Sequence, residues 1–233
     1  MRKKIVVFTG AGISAESGIQ TFRDANGLWE GHDVSEVASI DGWYRNPELV
    51  QDFYNKRRET AMEAKPNAAH DALVRLAKYF DVQIITQNVD LLHERAGSVD
   101  VLHLHGRLDQ ACSSVDKSML YPVIGHEIKM GDLCDKGSQL RPNIVWFGES
   151  VPNMPTAIAI AQAADIMLVI GTSLQVYPAA SLVEVITHRC DLYVVDKQIN
   201  TTRIPRKACA IERSASDAVP DLVEQLISRY RTS

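Results

Sequence analysis

The stretch VVFTGAGISAESGIQTFRD, Val6 to Asp24, sets a short apolar run directly against a glycine-rich turn that closes on an Arg-Asp pair. A buried strand entering such a turn lets backbone N–H groups approach a phosphate, and a helix beginning near Ser14 adds its positive end. The first expectation is a nucleotide pyrophosphate site. Gly10 and Gly12 fit the start of the dinucleotide fingerprint, but Ala15 takes the place of its third glycine. No Gly-Lys-Ser/Thr follows to make a Walker loop, so a tight structural turn stays open as the competing reading.

Beyond the turn, apolar or β-branched runs at Ile5 to Thr9, Gln83 to Thr86, Ile144 to Trp146, Ile166 to Ile170 and Leu192 to Val195 lack clean alternation. Strands covered on both faces read this way, and they predict a parallel sheet. Helices are expected between them. Asn46 caps PELVQDFYNKRRETAMEA with Pro47 in its first turn, and AAHDALVRLAKYF has apolar residues at helical spacing. Further helices are expected over Met154 to Ala163, Ala179 to His188 and Ala218 to Arg231. The alternation predicts a doubly wound, Rossmann-like α/β fold with ligands beyond the carboxyl ends of the strands. From about Arg107 to Leu140 the chain is polar and glycine-dotted, which marks an inserted small module.

Composition narrows the function. The 233 residues are 45% hydrophobic and 23% charged with a formal net charge of -4, so no electrostatic footprint for nucleic acid exists. The opening MRKKIVVFTG holds too few apolar residues for a signal-peptide core or a membrane span, and a cytoplasmic, monomeric protein is expected. Cys112, Cys134, Cys190 and Cys209 read as reduced thiols or metal ligands before they read as disulfides.

The longer string is more specific than its glycines. GAGISAESGIQTFRD, then GLW, TQNVD, HLHG, VWFGE and GTSLQVYPAA, in that order from Gly10 to Ala180, resembles the sirtuin family of NAD-dependent protein deacylases. The resemblance implies a Rossmann-like large lobe at about 1–30, 81–106 and 141–233. It implies a smaller zinc-ribbon and helical lobe at about 31–80 and 107–140, with NAD and an acyl-lysine protein or peptide meeting between them. In the family's chemistry the acyl oxygen attacks the ribose carbon as nicotinamide leaves, and a histidine then activates a ribose hydroxyl. That histidine is His105 by its place in HLHG, and Asn88 is its catalytic companion. His103, two residues earlier on an extended segment, is expected to point the other way.

Gly10, Ala11, Gly12, Ile13 and Ala15 of the opening loop, with Phe22, Arg23 and Trp29, are assigned to the cofactor on the same basis. Gln87, Asn88, Val89 and Asp90 follow a strand and suit the nicotinamide-ribose end, while Gly171, Thr172 and Ser173 offer donors to the diphosphate side. Asp196 stands at a strand end where many sirtuins place an asparagine, and Ala215 is assigned to the adenine. Val145, Trp146, Phe147 and Gly148 resemble the segment that receives the peptide by strand addition.

Tyr54 and Arg57 lie three apart on one helix, so a hydroxyl and a guanidinium can converge on one carboxylate. FYNKRRE resembles the sirtuin subclass that removes succinyl and related acidic groups, with these residues at its acid-reading positions. Acetyl-lysine is not excluded, since water can fill the carboxylate's place. The family's two C-x-x-C pairs are half present. Cys112 and Cys134 remain, and the partner positions carry Val115 and Gly137. Two readings follow: a zinc completed by neighbours such as Asp116, His126 or Asp135, or a metal-free remnant held by packing. The rival functions are NAD hydrolysis or ADP-ribosyl transfer, and NAD sensing without turnover.

Overall fold

The structure, a computed structural model, describes residues 2–20, 28–29, 31–205 and 207–230. In chain order it runs β1 (Lys4–Thr9), two 3-10 turns, β2 (Leu28–Trp29), β3 (His32–Asp33), α1 (Val34–Val37), α2 (Ile40–Arg45), α3 (Pro47–Glu63) and α4 (Ala68–Leu76). It continues through β4 (Asp81–Thr86), α5 (Leu92–Ala96), β5 (Val101–His103), β6 (Gly106–Ser113), β7 (Leu120–Pro122) and β8 (Leu140–Ile144). The last third holds α6 (Met154–Gln162), β9 (Ile166–Ile170), β10 (Asp191–Asp196), β11 (Cys209–Glu212) and α7 (Ala215–Tyr230). Among the described residues no helix is long and apolar enough to cross a membrane.

Six parallel strands form the main sheet in the order β11-β10-β9-β1-β4-β5. Successive residues of β1 serve opposite faces: Ile5 and Val7 pack with α4 and α7, and Val6 and Phe8 with α6 and the Ala179–Val183 turn. Both faces are thus covered by helices, which is why the strand reads as one apolar run. In register, Thr9 lies beside Thr86 and Ile170. From β1 the chain builds outward through β4 and β5, then returns to build β9, β10 and β11 on the other side. The sheet therefore reverses direction between β1 and β9, where doubly wound folds open a ligand crevice.

A second body sits over that crevice. Val37, Trp43, Val50, Phe53 and Tyr54 of the α1–α3 region share a core with Leu108, Ile144 and Trp146. Beside them β7, β6 and β8 form a separate antiparallel sheet.

Several expectations are corrected. No helix starts at Ser14; two 3-10 turns, Ala11–Ile13 and Ala15–Ser17, stand there, and Gly18 ends them in the left-handed region at φ 90°. The expected strand at Ile144 to Trp146 belongs to the small sheet and ends at Ile144. Beyond it Phe147 exchanges backbone bonds with Ala38 and Ile40. Residues 179–188 hold a 3-10 turn at Ala179–Val183 in place of a helix; Ser181 turns its hydroxyl to the Pro178 carbonyl, and the β-branched Val183, Val185, Ile186 and Thr187 favour no helix. The small lobe does not reach residue 80: α4 packs against α7 under the main sheet, because Ala69, Leu73 and Leu76 bury against Ile5 and Val7.

Candidate active site

The three loops at the reversal point are locked to one another through glycines. Gly10 N–H donates to the Ile170 carbonyl at 3.0 Å and Gly12 N–H to the Gly171 carbonyl at 2.8 Å. A Cβ on Gly12 would stand 2.6 Å from the Gly171 Cα, and Gly171 itself sits at φ +65°. These glycines let the β1 and β9 loops touch backbone to backbone, and two of their amides are engaged there.

Over this contact opens a cavity of about 670 Å³ between the main sheet and the second body. Gly10, Ala11, Gly12 and Ala15 form one wall, Gly171, Thr172 and Ser173 another, and Asp196 the far end. Gln87, Asn88, Val89, Asp90 and His105 line the middle. Trp29, Tyr54, Arg57, Val145, Trp146, Phe147 and Gly148 line the side formed by the second body. Ile13 and Ala215 are not brought to the cavity; both are buried in the core beneath the loop, where α7 begins. Phe22 and Arg23 lie outside the described residues.

The middle of the cavity holds a buried polar network. Asn88 Nδ2 donates to Ser14 Oγ at 3.1 Å, and Ser14 Oγ–H donates to Asp90 Oδ2 at 3.0 Å. Asp90 Oδ1 accepts from the Leu92 N–H at 3.0 Å, fixing the carboxylate at the start of α5. Burial pushes the Asp90 carboxyl up, against the hydrogen bonds from Leu92 and Ser14. Gln87 Nε2 reaches Thr172 Oγ1 at 3.0 Å and so ties the β4 loop to the β9 loop. The sequence pointed to Asn88 and Asp90 but read Ser14 only as a helix start. A hydroxyl within a glycine-rich loop, fully buried here, was the available signal.

His105 Nδ1 lies 3.1 Å from the Gln87 carbonyl. A carbonyl only accepts, so Nδ1 carries the proton and Nε2 keeps its lone pair. Burial lowers the His105 pKa, partly opposed by the Gln87 hydrogen bond, which favours the neutral ring a base requires.

On the second body, Tyr54 and Arg57 are buried one turn apart on α3, and both face the cavity. The Arg57 guanidinium lies over the Trp29 ring, 4.1 Å from its centroid. Burial, opposed by the Arg57 charge, pushes the Tyr54 pKa up to about 12, so the hydroxyl remains a donor at neutral pH. Trp146 is clamped by the Arg141 guanidinium, 3.5 Å from its ring centroid. Arg141 Nη1 and Nη2 donate to the two Glu149 oxygens at 2.9 and 3.0 Å, and Glu149 accepts from the Trp146 N–H at 2.9 Å. This ion pair, which joins residues eight apart in sequence, fixes the 145–148 segment.

Cys112 and Cys134 are not joined, among the described residues, by the donors a structural zinc needs. Among the described residues no three of His, Cys, Asp and Glu come together to hold a metal ion. Cys112 is fully buried with its thiol 3.8 Å from the Pro142 carbonyl. Asp116 is engaged by Ser118 and Lys136, and His126 is exposed. The donor set falls short of the four ligands a structural zinc needs. The module is fastened instead to α3: Arg58 donates to the Leu108 and His126 carbonyls, and Asn55 exchanges two bonds with the Ile128 backbone.

Known proteins agree with this architecture. Residues 10–178 match the model of the Sir2 family. A Helicobacter pylori protein named NAD-dependent protein deacylase is 51% identical over 225 residues, covering 97% of this chain and 98% of that protein. A Bacteroides thetaiotaomicron protein of the same name is 48% identical, covering 97% and 98%. Among solved structures, a mutant Sir2 homologue in complex with ADP-ribose superposes with a TM-score of 0.89 at 36% identity, covering 100% of this chain and 95% of that one. A Sir2 complex with a p53 peptide and NAD+ gives a TM-score of 0.78 at 31% identity, covering 100% and 95%. With its Rossmann-like sheet, its cleft and these relatives, the chain belongs to the Sir2 family.

Proposed function

We propose that this protein is an NAD-dependent protein-lysine deacylase, acting on acidic acyl groups such as succinyl as well as on acetyl. The observation that carries the reading is one cavity lined both by a neutral, oriented His105 and by the buried Tyr54 and Arg57 pair. NAD fits this wall: two interlocked loops let a backbone come close to a diphosphate, Thr172 and Ser173 add hydroxyls, and Asp196 can accept from ribose hydroxyls. When bound there, NAD would supply an electrophilic ribose carbon with nicotinamide as its leaving group.

The chain's own residues do the rest. The Asn88 amide, turned by Ser14 and Asp90, is held to donate toward the reacting ribose. His105 Nε2 takes the proton from a ribose hydroxyl, while the Gln87 carbonyl holds the ring. The 145–148 backbone receives the peptide as an added strand, and its Glu149–Arg141 anchor keeps it aligned. The buried Tyr54 hydroxyl and Arg57 guanidinium receive the acyl carboxylate through charge-assisted bonds. A cytoplasmic location is part of this reading, supported by four unpaired cysteines, and so is a monomeric state.

The test incubates purified protein with NAD and with no peptide, an acetyl-lysine peptide or a succinyl-lysine peptide, and follows nicotinamide and acyl-ADP-ribose by mass spectrometry. Peptide-dependent release is expected, with His105→Ala inactive and Arg57→Met losing succinyl turnover selectively. Nicotinamide release that ignores the peptide would move the assignment to NAD hydrolysis, and no release at all would leave an NAD-binding module.

A further inference from the structure

The loop bearing Asn88 has no regular structure, and two histidines hold its consecutive carbonyls. His105 Nδ1 meets the Gln87 carbonyl at 3.1 Å; His103 Nδ1 meets the Asn88 carbonyl at 2.9 Å. His103, the last residue of β5, is 6% exposed and absent from the cavity wall. Its other nitrogen, Nε2, lies 2.8 Å from Glu94 Oε1 on α5. A carbonyl only accepts, so Nδ1 donates to the Asn88 carbonyl, and Nε2 stands at ion-pair distance from the Glu94 carboxylate.

An apolar residue would fill this place equally well if packing were all that was needed. A buried imidazole bonded at both ends instead sets the direction of one peptide plane. That plane belongs to the residue whose side chain faces the cavity. Burial raises the Glu94 carboxyl, but the His103 bond and the charge of Arg107, 3.8 Å away, outweigh it and leave the carboxyl below its ordinary range. The anchor is therefore an ionised carboxylate.

We propose that His103, braced by Glu94, is a positioning residue: it fixes the Asn88 peptide from behind, so that the Asn88 amide and His105 keep one geometry toward the ribose. This rests on the deacylase reading above. A misplacement of about 1 Å in such a group costs on the order of 100-fold in rate, so the effect belongs in kcat.

The experiment compares His103→Leu, which removes both bonds, with His103→Asn, whose amide N–H can stand where Nδ1 stands. Steady-state nicotinamide release gives kcat and both KM values. Hydrogen exchange by mass spectrometry, on the NAD-free protein, reads the 87–91 amides. We expect His103→Leu to lower kcat about 10-fold or more, with each KM within about 3-fold, and to speed exchange in 87–91; His103→Asn should recover most of both. Equal behaviour of the two variants, or an unchanged kcat in His103→Leu, would overturn the proposal. Absence of wild-type turnover would instead refute the deacylase reading, and the exchange comparison would still decide whether His103 holds the loop.

Discussion

His70 offers a quantitative test of how the cofactor loop is supported. It is fully buried at the start of α4, and its Nδ1 accepts the Asn67 N–H at 3.3 Å within a capping box. Asn67 in turn donates to the Ile13 carbonyl at 2.8 Å and to Ser17 Oγ at 2.9 Å, pinning the loop from below. Burial lowers the His70 pKa from 6.5 to about 4. A histidine held neutral in the fold stabilises it fully above the unfolded value, and that contribution is lost as pH falls below about 6.5, because the unfolded chain then binds a proton the folded one refuses. With these pKa values the loss between pH 7 and pH 5 is about 2 kcal/mol. His70→Gln keeps an acceptor in the capping box and removes the titration. Urea unfolding of both proteins at pH 7 and pH 5 should show the wild type losing about 2 kcal/mol more than the variant. Parallel losses would refute the reasoning.

Other outcomes follow from the same geometry. Because burial lowers the His105 pKa, the acid limb of the pH–rate profile should fall with a midpoint below 6.5, activity being lost as the ring protonates; a midpoint above 6.5 would contradict a desolvated base. Gly12→Ala should raise KM for NAD and lower the unfolding midpoint, since its Cβ would stand 2.6 Å from the Gly171 Cα; an unaffected KM would show that the loops need not touch. Glu149→Ala strands the buried Arg141 and should cost about 3–5 kcal/mol in urea unfolding, with a raised KM for peptide. Dialysis against a chelator should leave the unfolding midpoint unchanged, while a drop would reveal a metal in the small module.

Much of the architecture was legible because it rests on local signals. The apolar strands and the Asn46-Pro47 helix start appear where their chemistry puts them. What escaped is long-range. The module pairs its strands antiparallel over short polar stretches such as GRLDQACS, whose half-buried pattern gives no period. Ile144 and Trp146 are apolar because they complete the core of the second body with residues of the α1–α3 region, a circumstance no single window records. The site motifs were readable from their order along the chain. The partnerships that orient them, Ser14 with Asn88 and Asp90, or Arg141 with Glu149, join residues that only the fold brings to face one another.

The arginine clasp on the small module carries a chemical consequence. Arg58 keeps its charge at neutral pH, with a pKa of about 10 lowered by burial, and it binds carbonyl oxygens that no oxidant attacks. Burial also raises the Cys112 pKa, which keeps that sulfur a protonated thiol and a poor nucleophile. The tether between this module and α3 is thus built of guanidinium, amide and carbonyl groups, and the thiol chemistry of Cys112 and Cys134 does not enter it.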